Sequence, residues 1–238
     1  KLYYRGIDVE DLVNAAIREK RFGYEETSYL LLFGELPDER RLKDYTKLLG
    51  QLRELPPTFT RDMIMANPSP SIMNQMARSI LSMYSFDEKA EDTSIGNVLR
   101  QSIHLISCLS TIAAYSYQAK RSHFQNQSLH LHYPLPELST AENILRLIRP
   151  MGEYTDLEAR LLDISLILHA EHGGGNNSTF TTHLVSSTGT DTYSAISAAV
   201  GSLKGPKHGG ANLAVIHMMR DLKENVADIT NFKEVENY

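Results

Sequence analysis

The stretch DLEARLLDISLILHAEHGGGN, Asp156 to Asn176, decides the fold. Leu157, Leu161, Ile164 and Leu168 recur at three- and four-residue intervals, which is the period of an α-helix. Asp156 opens the run, and Gly173, Gly174 and Gly175 follow it. The same period continues outward on both sides. Downstream, STFTTHLVSSTG and DTYSAISAAVGSLKG predict two short helices, each closed by glycine, and ANLAVIHMMRDLKEN predicts a last helix before the polar tail VADITNFKEVENY. The second of these helices is rich in Ala, Ser and Gly, a surface that admits a close neighbour in a core or across a subunit interface.

Upstream, Asp8 stands as a cap before a helix-period run, and YEETSYLLLFG reads as a short helix stopped by Gly34. Pro37 is expected to open the next helix and Pro56-Pro57 to end it. The longest periodic stretch runs from about Ile95 to Tyr117, and Ser139 precedes TAENILRLI. No strand alternation or internal repeat interrupts the pattern. The expected class is all-α.

Bulk properties narrow the function. With 238 residues the chain can bury a sizeable core, and 42% hydrophobic with 22% charged residues is the balance of a soluble protein. A net charge of −5 offers no basic footprint for nucleic acid. No apolar run reaches membrane-spanning length. Cys108 is the only cysteine, which excludes an internal disulfide and a cysteine-based zinc site and suits a reduced, cytoplasmic setting. Lys1 at the start suggests a processed or cut end.

Two histidine motifs carry chemistry. In LHAEHGGGNNS, the spacing puts His169 and His172 on one helix face, with His183 as a conceivable third metal ligand. The arrangement is neither H-E-x-x-H nor a cysteine-containing deaminase pattern, and we read no metal site. Three successive glycines are more than a helix stop needs. They suit a backbone that turns tightly beside a ligand. Asn176, Asn177 and Ser178 then offer short polar groups at a helix start, where a small anion is favoured.

In GPKHGGAN, Gly205 to Asn212, His208 stands at or just before a helix start. The positive end of the helix dipole disfavours imidazolium there. A neutral imidazole with a donor N–H can stabilise a developing enolate oxygen. His104 and His217 fall in helical patterns as packing or partner contacts. His123, His130 and His132 lie in a polar connection as exposed residues, and Met218-Met219 reads as core.

The segment LILHAEHGGGNNSTFTTHLVSSTGTDTYSAISAAVGSLKGPKHGGAN resembles the citrate synthase family, which includes the 2-methylcitrate synthases. LYYRGIDVEDLV and YEETSYLLLFGELP are similar to early helices of that family. His172 and His208 stand 36 positions apart, in order, so the signal is a paired one. The resemblance implies a multi-helical large domain over residues 1–208 and only the start of a small domain over 209–238. It implies condensation of acetyl-CoA with oxaloacetate to citrate and free CoA, with no metal or redox cofactor, acetyl-CoA being a substrate. His208 resembles the catalytic histidine that stabilises the acetyl-CoA enol. His172 resembles the one that holds oxaloacetate, with Asn176 nearby, and Ser178 resembles the hydroxyl residue that orients the catalytic histidine.

The resemblance also implies a homodimer. A 2-methylcitrate synthase using propionyl-CoA, a non-catalytic helical dimerisation module and a histidine-based metal enzyme are the alternatives. Where the family carries Asp-His-Glu, this chain has Glu171-His172-Gly173. The family's second histidine, its proton-abstracting aspartate and its oxaloacetate-binding arginines have no counterpart before Tyr238. The chain is therefore expected to be a fragment, inactive or nearly so by itself.

Overall fold

The computed structural model describes every residue except His172, and at His208, Gly209, Ala211 and Asn212 it describes the backbone only. The fold is all-α. It opens on a two-stranded antiparallel hairpin, β1 (Tyr3–Tyr4) and β2 (Ile7–Asp8), which the sequence reading missed. Two-residue strands are too short to alternate visibly. Their turn is made by Arg5 and Gly6, both at positive φ, as a tight hairpin requires. Asp8 then caps α1 (Val9–Glu19), its carboxylate accepting from the Glu10 amide at 3.1 Å.

The helices that follow are α2 (Tyr24–Phe33), α3 (Glu39–Gln51), a π-helical turn (Thr60–Met65), α4 (Ile72–Met83) with a 3₁₀ turn after it (Tyr84–Phe86), and α5 (Ile95–Gln125). The remaining ones are α6 (Thr140–Ile148), α7 (Asp156–Leu168), α8 (Asn177–Ser186), α9 (Thr192–Leu203), α10 (Pro206–Asn225) and α11 (Phe232–Asn237). Gly34 ends α2 in the left-handed conformation, and Ser139 and Glu142 form a capping box on α6. Pro37 does not open α3, because Asp38 takes the cap position and accepts from the Arg41 amide at 2.8 Å. That helix also ends at Gln51, ahead of the two prolines, and α5 runs eight residues beyond Tyr117. Within the polar tail a short helix, α11, forms.

The main core lies around α5, where Cys108 and Ile112 meet Phe59, Ile64, Ile80, Met83, Leu147 and Tyr193. A second cluster joins the hairpin and α1 to α7 through Tyr4, Val9, Leu12, Leu30 and Ile167. Two polar knots cross the core. Arg53, 1% exposed, donates to the Leu135 and Leu138 carbonyls and to Thr140 Oγ1, with Glu25 at 3.6 Å. Asp87 accepts from Arg100, Gln101 and Tyr193, so its carboxyl is held well below the usual range despite the opposing cost of burial. The helix α9 packs on α4 and α8 through small residues, and Ser197 Oγ donates to the Ala77 carbonyl at 2.8 Å.

Two expectations about side chains are overturned, and the face that α7 buries is not the one its apolar period marks. The apolar stripe of α7 faces outward, with Leu157, Leu161 and Leu168 exposed; the buried face is Ala159, Asp163 and Ile167. The reason is Asp163, whose carboxylate accepts from the Gly23 amide at 2.7 Å and the Tyr24 amide at 3.2 Å, capping α2 from across the core. His130 and His132 are half-buried rather than exposed, His132 Nε2 lying within 3.1 Å of the Arg149 and Pro150 carbonyls, while His123 is exposed but lies within α5. Met218 and Met219 are exposed rather than core, as are all described side chains of α10 from Leu213 onward except Leu222. Among the described residues no helix is long and apolar enough to cross a membrane.

Candidate active site

The two histidine motifs occupy consecutive helix junctions. The first is the loop from His169 to Asn176 between α7 and α8, and the second is the turn from α9 into α10. Because α8 and α9 pack against each other as antiparallel neighbours joined by a short turn, the start of α8 lies beside the end of α9. One hydrogen bond records this meeting. Asn177 Nδ2 donates to the Ser202 carbonyl at 3.3 Å, across 25 residues of sequence. Gly205, the cap of α10, comes only three residues after Ser202.

The helix α7 stops at Leu168. His169 is its C-cap, and His169 Nδ1 lies 2.7 Å from the Ser165 carbonyl. The helix expected to carry both histidines on one face thus ends before His169. His172 itself lies outside the described residues. On either side of that position the backbone is tied down. Tyr4 is completely buried, and its hydroxyl donates to the Ile167 carbonyl at 2.7 Å. The same oxygen lies 3.2 Å from the Glu171 carbonyl and accepts from the Glu171 amide at 3.3 Å. The Glu171 carboxylate in turn accepts from the Gly173 amide.

Gly173 adopts φ +93°, a conformation that strains any residue with a Cβ. At Gly174 and Gly175 no φ is strained, and an added Cβ would meet nothing within 4 Å. Packing among the described residues therefore does not require glycine at those two positions. Past them, Asn176 caps α8: its Oδ1 accepts from the Ser178 amide at 2.8 Å and from Ser178 Oγ at 2.5 Å. Of the predicted site residues, Asn176 and Ser178 are thus brought together in one hydrogen-bonded turn.

His208 falls at the third residue of α10, which begins earlier than the sequence suggested because Pro206 occupies its first position. Its side chain lies outside the described residues. Gly205 supplies no side-chain cap, and the first turn of α10 holds no acidic residue. The positive end of that helix dipole is therefore not neutralised by the chain's own carboxylates at this turn. The sequence reading missed one contributor, Tyr4, and named Asn177 only as a polar group at the helix start. Asn177 is indistinguishable in sequence from its neighbour Asn176, and Tyr4 acts from 167 residues away. Among the described residues no group of His, Cys, Asp and Glu is arranged to hold a metal ion.

An all-α scaffold thus brings the glycine-rich loop before α8 close to the turn that starts α10. The chain belongs to the citrate synthase family: residues 1–238 match the family's citrate synthase C-terminal domain. It is 31% identical to a 2-methylcitrate synthase of Shewanella oneidensis over 94% of this chain and 55% of that protein. Among solved structures, citrate synthase from Pyrobaculum aerophilum superposes with a TM-score of 0.78 at 31% identity, over 90% of this chain and 52% of that one. The citrate synthase of the archaeon Thermoplasma acidophilum, solved as a ternary complex with carboxymethyl coenzyme A and oxaloacetate, superposes with a TM-score of 0.76 at 26% identity, over 98% of this chain and 56% of that one. The chain thus spans about half the length of the relatives it matches.

Proposed function

We propose that the chain carries the substrate-binding histidines of a citrate synthase-type acyltransferase, which condenses acetyl-CoA with oxaloacetate to give citrate and free CoA. The observation that carries this reading is the Asn177–Ser202 contact, which supports one shared site for the two histidine motifs. In this proposal His208, in the uncapped first turn of α10, keeps its imidazole neutral and donates to the thioester oxygen of acetyl-CoA as the methyl group loses a proton. The enol carbon then attacks the ketone of oxaloacetate, and His172 hydrogen-bonds the oxygen on which negative charge develops. Water finally cleaves the thioester and releases CoA. Asn176 and Ser178 shape the oxaloacetate side of the site. The role proposed for Ser178 in orienting the catalytic histidine rests on resemblance; its hydroxyl donates to Asn176 Oδ1. We assign the base for the methyl proton to no residue of this chain.

The reaction as proposed uses no metal or redox cofactor. A homodimer is part of the proposal, supported by two unpartnered apolar faces: Leu157, Leu161 and Leu168 on α7, and Phe180 and Leu184 on α8. Leu161→Lys is expected to turn the dimer into a monomer in sedimentation while changing stability by less than about 1 kcal/mol; an unchanged dimer contradicts it. We also keep the division at residue 208, supported by the exposure of α10, and a cytoplasmic setting, supported by the buried free thiol of Cys108.

The similarity to the Shewanella 2-methylcitrate synthase favours a second reading, the same condensation with propionyl-CoA. One methylene changes binding by only about 1–3 kcal/mol, so a small pocket difference decides between the acyl groups. The test is oxaloacetate-dependent release of free thiol from acetyl-CoA and from propionyl-CoA, run on this chain and on a version extended to the length of its relatives. Oxaloacetate-dependent release that His208→Ala abolishes supports the proposal. No release in either form contradicts it.

A further inference from the structure

We infer that Tyr4 is a positioning residue for the oxaloacetate side of the site, acting on the histidine loop through its hydroxyl. The inference rests on the reading of His172 proposed above. Tyr4 is the first strand's inward residue, wholly buried in the cluster formed by Val9, Leu12, Leu30 and Ile167. A phenylalanine would fill that cluster equally well. The hydroxyl, however, sits where α7 ends. It donates to the Ile167 carbonyl at 2.7 Å in the last turn and accepts from the Glu171 amide at 3.3 Å, with the Glu171 carbonyl at 3.2 Å. A buried hydroxyl meeting three backbone groups at one point is a costly arrangement to leave incomplete.

The consequence reaches past Glu171. With its backbone held by Tyr4, Glu171 directs its carboxylate to the Gly173 amide. The residues before and after position 172 are thereby tied in series to a tyrosine of the N-terminal hairpin. That hairpin is itself anchored, since Arg5 Nη2 donates to the Leu31 carbonyl at 2.8 Å. The path therefore runs from α2 through the hairpin to the loop. Nothing else among the described hydrogen bonds joins the hairpin to this loop.

The test compares Tyr4→Phe with Leu12→Ala, which damages the same apolar cluster without touching Glu171. Tyr4→Phe is expected to speed amide exchange at Glu171 and Gly173 by roughly tenfold and to move the imidazole ¹⁵N signals of His172. Leu12→Ala is expected to lower the melting temperature more, yet leave those signals in place. In whichever form of the protein turns over oxaloacetate, Tyr4→Phe raises KM for oxaloacetate by roughly fivefold with kcat little changed. Unchanged exchange and His172 signals in Tyr4→Phe overturn the inference. So does an equal response in Leu12→Ala, which would reduce Tyr4 to a core residue. If no form turns over oxaloacetate, the functional reading fails, and the exchange comparison still decides whether Tyr4 positions the loop.

Discussion

Gly50 and the pair Gly174-Gly175 are glycines for opposite reasons. A Cβ on Gly50 would lie 2.2 Å from the Pro136 carbonyl oxygen, with two more backbone atoms of Pro136 within 3.1 Å. Here α3 and the segment leading into α6 touch backbone to backbone, and only glycine fits. At Gly174 and Gly175 the same added atom meets nothing within 4 Å among the described residues. One region is complete in itself; the other leaves space that packing among the described residues does not use. The Arg53 knot beside Pro136 belongs to the first kind, with its two terminal nitrogens donating to Leu135, Leu138 and Thr140. The loop at Glu171–Gly175 belongs to the second. Room beside a polar loop at a helix start is what a small dicarboxylate needs.

The contrast can be broken most severely at Gly50. Gly50→Ala is expected to cost about 3 kcal/mol, since the clash is with backbone that cannot rotate away, and urea unfolding measures it. A cost near zero would mean that the helix and the loop before α6 separate easily, and the self-complete region would be no such thing.

The next effect is a pH dependence confined to that same frame. Burial raises the Asp163 carboxyl to about 6, against the hydrogen bonds from Gly23 and Tyr24, which pull it down. Unfolded aspartate titrates near 3.9, so the folded chain holds the extra proton between about pH 4 and pH 6. The stabilisation is full below the unfolded value and is lost as pH rises through about 6. It amounts to about 3 kcal/mol. Asp163→Asn is expected to remove this slope in denaturation curves taken from pH 4 to pH 7. A slope of the same size in the variant would place the titrating group elsewhere.

The smallest effect on the fold, and the sharpest on function, is expected at Gly175. Its φ is ordinary, so Gly175→Ala stabilises by about 0.5 kcal/mol through the unfolded chain or leaves stability unchanged. The same change is expected to weaken oxaloacetate binding, because the methyl group occupies the space we assign to the ligand. A variant that binds oxaloacetate as the parent does would show that this space lies outside the site.

Much of this contrast could be read before any coordinates. Asp8, Gly34 and Ser139 announce helix ends through local chemistry, and each end is where that chemistry puts it. The glycine run before Asn176 and the Gly-Pro-Lys-His run likewise marked the two junctions that the fold brings together. What escaped was long-range or exchanged between elements. The outward stripe of α7 reads as a core face because apolar periodicity does not say which side is inward; Asp163, capping α2 from 140 residues away, decides that. Pro37 lost the start of α3 to Asp38, whose carboxylate makes the cap. Tyr4 carries no sign in its own neighbourhood that its hydroxyl reaches Glu171.

The most direct test of a single site is an oxaloacetate titration of the ¹⁵N-histidine-labelled chain, with His172 and His208 assigned by their glutamine variants. The account predicts that both signals move with one shared dissociation constant, while those of His104, His123 and His132 stay fixed. Movement of neither signal, or of His172 and His208 at unrelated concentrations, would contradict it.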